Sequence, residues 1–85
     1  MELDIFTRNF ELIQETQQEI FDSFAEFKNW NISKVSVVLA RAGVDYSVNI
    51  DILGKKLITA TSHASELYEA YYKAYDRLPL WEGTL

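Results

Sequence analysis

Thirteen carboxylates, a single histidine and no cysteine are the groups with which this 85-residue chain could do chemistry. His63 has no second imidazole or thiol to work with, so neither a nucleophile–base pair nor a nitrogen or sulfur metal site can be assembled around it. Asp45 and Asp51 alternate onto one side of an extended segment. Six residues separate them by about 20 Å along a strand, too far to share a proton or an ion. Three glycines, none in a phosphate-cradling pattern, exclude a nucleotide loop. The expectation is a chain with no catalytic, cofactor-binding or metal-ligating residues.

What remains is a row of acids. Glu11, Glu15, Glu19, Asp22 and Glu26 are spaced by four, four, three and four, which on a helix confines them to an arc of about 80°. A convex row does not converge the six or more oxygens that calcium needs. Like charges at i,i+4 oppose one another by about 0.2–0.5 kcal/mol per pair, so the row invites a functional reading. At 1.5 Å per residue it spans about 22 Å, one charge per ~4–5 Å. A DNA strand carries one per ~3.4 Å of axis. Residues 1–30 hold seven acids against two bases, and 31–85 hold six of each, so the whole net charge of −5 sits on the first segment.

These residues must be positioned by secondary structure. Phe6, Phe10, Ile13, Ile20, Phe21, Phe24 and Phe27 recur on the side opposite the acids, which predicts an amphipathic helix over roughly 4–28. "KVSVVLARA" (34–42) and "VDYSVNIDI" (44–52) alternate with period 2, and "LITAT" (57–61) follows the turn "LGKK". Ala42-Gly43 reads as the first hairpin turn. Ser62 is a plausible N-cap for a second helix with Ala64, Leu67, Tyr68, Tyr71, Ala74, Tyr75 and Leu78 on its apolar face, ended by Pro79. Tyr72 falls on the solvent side of that helix. The order is α-β-β-β-α, an α+β class fold with a three-stranded antiparallel sheet and two helices packed on one of its faces.

That order resembles the double-stranded RNA-binding domain. The family's phosphate-gripping lysines are missing, since the second helix starts "TSHASELYEA" and the first hairpin loop reads "RAGVD". Size, acidity and layout also resemble small phage-encoded anti-CRISPR inhibitors and other DNA-mimic proteins. The resemblance implies a non-enzymatic inhibitor that fills the basic groove of a nuclease or other nucleic-acid-handling protein and does not itself bind nucleic acid. In that reading the carboxylates of Glu11, Glu15, Glu19, Asp22 and Glu26 meet arginines and lysines, with Tyr72 as an exposed aromatic anchor. The alternative is a small structural or regulatory homodimer whose acidic helix face only keeps it soluble.

Length predicts one domain over residues 1–85. No apolar run approaches the ~20 residues a bilayer requires. The start "MELDIFTRNF" lacks the pattern of a secretory signal. With no cysteine to cross-link, the expected location is the cytoplasm, that of the host if the chain is phage-encoded.

Overall fold

A computed structural model describes residues 2–25 and 32–78. The order is β1 (Glu2–Arg8), α1 (Gln14–Ala25), β2 (Lys34–Ala42), β3 (Asp45–Leu53), β4 (Leu57–Ala64) and α2 (Leu67–Asp76). The sheet has four strands in the order β1-β2-β3-β4, with β1 parallel to β2 and the other two pairings antiparallel. The α+β class with two helices on one sheet face is as expected. The three-stranded antiparallel sheet is not.

The difference lies in the first ten residues. "ELDIFTR" alternates, placing Leu3 and Ile5 against the core while Phe6, on the other face, is 53% exposed. Ile5 and Thr7 are β-branched and suit a strand. Asn9 ends the strand with φ 66°, a left-handed conformation that asparagine tolerates, and its amide donates to the Arg41 carbonyl at 3.2 Å. The first helix therefore begins at Gln14 rather than near residue 4, and the expected end at residue 28 lies outside the described residues. A parallel pair cannot close through a tight turn, and α1 supplies the crossover from β1 to β2.

The core lies between the helices and one sheet face. Val35, Val37 and Leu39 of β2, Val48, Ile50 and Ile52 of β3, and Ala60 of β4 are buried. Against them pack Ile20 and Phe24 of α1, Ala70, Tyr71 and Ala74 of α2, and Leu78 just beyond α2. The buried positions of α1 are Thr16, Ile20 and Phe24, one per turn. Ile13 and Phe21, expected in the core, are exposed at 63% and 37%.

Ala42 pairs with Asp45, so Gly43 and Val44 form the first hairpin turn, one residue beyond the expected Ala42-Gly43. Val44, assigned to the core by its alternation, sits at the turn and is exposed. Gly43 has φ 65° and no other non-strand residue of that turn is left-handed, the pattern of a type II′ turn. Ser62 is not a helix cap. It lies buried in β4, and its hydroxyl donates to the Ala70 carbonyl. The N-cap position of α2 is Glu66, whose side chain makes no capping bond.

Phe24→Ala, which empties a fully buried ring site, should cost about 3–5 kcal/mol, a large part of a small domain's total, in a urea titration. Gly43→Ala meets nothing within 4 Å and should cost only the left-handed backbone penalty, about 1 kcal/mol.

Candidate functional site

The helices are joined by tyrosine hydroxyls. Tyr68, Tyr72 and Tyr75 project from successive turns of α2 onto α1. The Tyr68 hydroxyl meets Thr16 Oγ1 at 3.0 Å, Tyr72 donates to Glu19 Oε1 at 2.7 Å, and Tyr75 donates to the Ser23 carbonyl at 2.8 Å. Edge-to-face ring contacts, Tyr71–Tyr72 at 5.1 Å and Phe24–Tyr75 at 5.5 Å, tighten the same seam.

This seam breaks up the acidic row. Glu19 is half-buried and bonded to Tyr72, so two residues expected to face a partner satisfy each other instead. Glu11 precedes α1 rather than lying on it. Asp22 is exposed and accepts from Gln18 at 3.0 Å, and Glu15 is exposed in the first turn. Glu26, like Trp30 and Trp81, lies outside the described residues. Of five acids expected on one stripe, Glu15 and Asp22 present carboxylates from the open side of α1.

Basic residues gather at the other side of the molecule. Lys73 donates to the His63 carbonyl at 3.5 Å and Arg77 donates to the Thr61 carbonyl. Both therefore lie along the free edge of β4, whose outward carbonyls they shield. Lys73 takes this position rather than closing an ion pair with Glu69. Among the described residues the one ion pair is Lys34 Nζ–Asp4 Oδ2 at 3.2 Å. Lys55 and Lys56 occupy the β3–β4 turn at the start of the same edge. From Lys56 to His63 the edge runs about 23 Å at ~3.3 Å per residue. Ammonium and guanidinium groups carry three and five donors, so a single bond to a carbonyl leaves most of them for a ligand.

The second sheet face carries no helix. Strand register lays its side chains in rows across the four strands: Glu2, Lys34, Leu53, Leu57; Asp4, Ser36, Asp51, Thr59; Phe6, Val38, Asn49, Thr61; and Arg8, Ala40, Ser47, His63. His63, expected at a helix start, is thus on this face. The polar side chains interlock. Asp51 accepts from Thr59 at 2.8 Å and Asn49 at 3.1 Å, and Asn49 accepts from Thr61 at 2.7 Å. Asp45 and Asp51 remain at opposite ends of β3. Among the described residues no three His, Asp or Glu side chains are placed to hold a metal ion, and no helix is long and apolar enough to cross a membrane.

No family model matches the chain, and no curated protein is similar to it. Solved structures are. The N-terminal domain of Protein Y from Thermus thermophilus superposes with a TM-score of 0.82 over 98% of this chain and 96% of that one, at 22% identity. A ribosomal subunit interface protein from Coxiella burnetii superposes with a TM-score of 0.82 over 91% of this chain and 88% of that one, at 9% identity.

These likenesses overturn the inhibitor reading. The anti-CRISPR and DNA-mimic resemblance rested on an α-β-β-β-α order and a continuous acidic row. The chain has a parallel N-terminal strand in place of the first, and the tyrosine seam disrupts the second. The same strand separates it from the order of the double-stranded RNA-binding domain. The phage-inhibitor function and the nuclease-type partner without nucleic acid fall with it, and the alternative of a small structural or regulatory homodimer fits these likenesses no better.

The seam makes a pH prediction. Burial first, and then neighbouring phenols and Glu19, push the Tyr71 hydroxyl well above the usual tyrosine range, and the bond to Glu19 raises Tyr72. Both phenols stay protonated in the fold while unfolded tyrosine ionises near pH 10. Their contribution is therefore complete below about pH 10 and lost as pH rises above it. Tyr71 Oη is buried with no hydrogen-bond partner, and the neighbouring Ser23 hydroxyl donates to the Glu19 carbonyl. Tyr71→Phe should thus raise stability by about 1 kcal/mol at neutral pH and make the alkaline loss shallower, as read by urea titrations at several pH values.

Proposed function

We propose that this chain is a non-enzymatic ribosome-associating domain of the cytoplasm, docking where ribosomal RNA is exposed at the subunit interface. The observation that carries this is the fold. A four-stranded mixed sheet with a crossover helix and a C-terminal helix matches a ribosomal subunit interface protein across nearly the whole of both chains.

Charge distribution supports the reading and orients it. The surface of a ribosome presents dense phosphate, which repels Glu15 and Asp22 on α1 and attracts the β4 edge. Lys55, Lys56, Lys73 and Arg77 form the row that meets the RNA backbone, with α1 turned away. An acidic protein can dock on RNA in this way because the net charge of −5 is concentrated elsewhere.

Co-sedimentation tests it. The chain mixed with purified ribosomes should travel with ribosomal particles through a sucrose gradient and be released as salt rises. The double change Lys73→Glu, Arg77→Glu should weaken recovery by tenfold or more, with a melting temperature close to that of the unchanged chain. A chain that stays at the top of the gradient under all salt conditions would refute ribosome association. Equal recovery of the double variant would refute the β4 edge as the contact.

A further inference from the structure

We propose that the open sheet face binds single-stranded RNA, with Phe6 stacking on a base and Arg8 holding the adjacent phosphate. The site is separate from the β4 edge. It rests on the ribosome-associating reading only for where the strand would come from.

Three observations point to this occupant. Phe6 is an aromatic ring exposed at 53% on a face that no helix covers, with Val38 as its cross-strand neighbour and the exposed Leu53 and Leu57 two rows away. Burial does not explain the ring, since β1 places Leu3 and Ile5, not Phe6, against the core. Arg8 lies two residues on along the same strand and face, about 6.6 Å away. That suits the separation between a stacked base and its own phosphate. Finally, the bonds among Asp51, Asn49, Thr59 and Thr61 occupy both Asp51 oxygens and fix the polar half of the platform. A rigid face whose polar groups are already partnered can receive a flat base without selecting its edge, which predicts sequence-tolerant stacking.

The same rows argue against a protein partner. Apolar members of the face are divided: Phe6 and Val38 in one row, Leu53 and Leu57 at the far end. The row of Asp4, Ser36, Asp51 and Thr59 lies between them. Protein interfaces gather apolar side chains into a continuous centre ringed by polar ones. Here the polar row runs through the middle. A base needs only one ring and one cation.

The experiment is an anisotropy titration of a 5′-labelled mixed-sequence RNA hexamer with the full chain at low ionic strength. Unchanged protein should bind saturably. Phe6→Ala should weaken binding about tenfold, in the range that loss of one stacked base produces. Phe6→Tyr should retain it, and Arg8→Ala should weaken it severalfold and flatten its salt dependence. Both positions face solvent, so melting temperatures should stay unchanged. Absence of hexamer binding, or equal binding by Phe6→Ala, overturns the proposal. If Phe6→Ala binds normally while Lys73→Glu, Arg77→Glu does not, the strand follows the β4 edge. The sheet-face site is then wrong, and ribosome association stands. If Phe6→Ala loses the hexamer although the chain never sediments with ribosomes, the sheet-face site stands and the ribosomal reading fails.

Discussion

Parallel pairing of β1 with β2 is the constraint on which the rest of this structure depends. Seven residue pairs, from Glu2↔Lys34 to Arg8↔Ala40, hold the N-terminal strand at the edge of the sheet. Because parallel strands cannot be joined by a hairpin, the chain between them must cross over, and α1 is that crossover. Once α1 lies across the sheet beside α2, the two helices bury one face and leave the other open. Removing β1 would leave α1 with no reason to sit where it does, and Phe6 and Arg8 would not share a surface.

The helix layer is held by two different kinds of contact. Towards the sheet it is apolar, with Phe24, Ile20, Tyr71 and Ala74 against Val37, Val48 and Ile50. Between the helices it is amphipathic, because Tyr72 and Tyr75 pack their rings against the core while Tyr68, Tyr72 and Tyr75 each turn a hydroxyl to α1. Tyrosine suits this seam because one end of the side chain can be dry while the other finds a polar partner. The seam also fixes where charge goes. Glu19 is drawn into it, Glu15 and Asp22 stay exposed on α1, and Lys73 and Arg77 emerge on the far side against β4. An acidic chain thereby acquires a basic edge.

Much of this was legible in the sequence, and the failures have physical causes. The strands 34–42 and 45–53 follow from uninterrupted alternation, and α2 from its apolar spacing. The N-terminal strand was hidden because Phe6, Phe10 and Ile13 also fit a helical period, and a seven-residue alternation is short evidence against a longer apparent helix. Asn9, able to adopt a left-handed conformation, was the available signal. The acidic row was real as spacing, but the fold sets Glu11 ahead of α1 and turns Glu19 towards Tyr72. Spacing places residues on a helix face, but only tertiary packing showed that Glu19 and Tyr72 face each other. The basic edge was illegible for the complementary reason. Lys55, Lys56, Lys73 and Arg77 are scattered in sequence and meet only because β4 runs from the turn to the helix.

The central claim is that the β4 edge, and not the acidic side of α1, faces ribosomal RNA. Placing a photo-crosslinking residue at position 77 in one sample and at position 22 in another, then irradiating each with ribosomes, tests it most directly. The account predicts covalent RNA adducts from position 77 and none from position 22. RNA adducts from position 22 alone, or none from either, would contradict it.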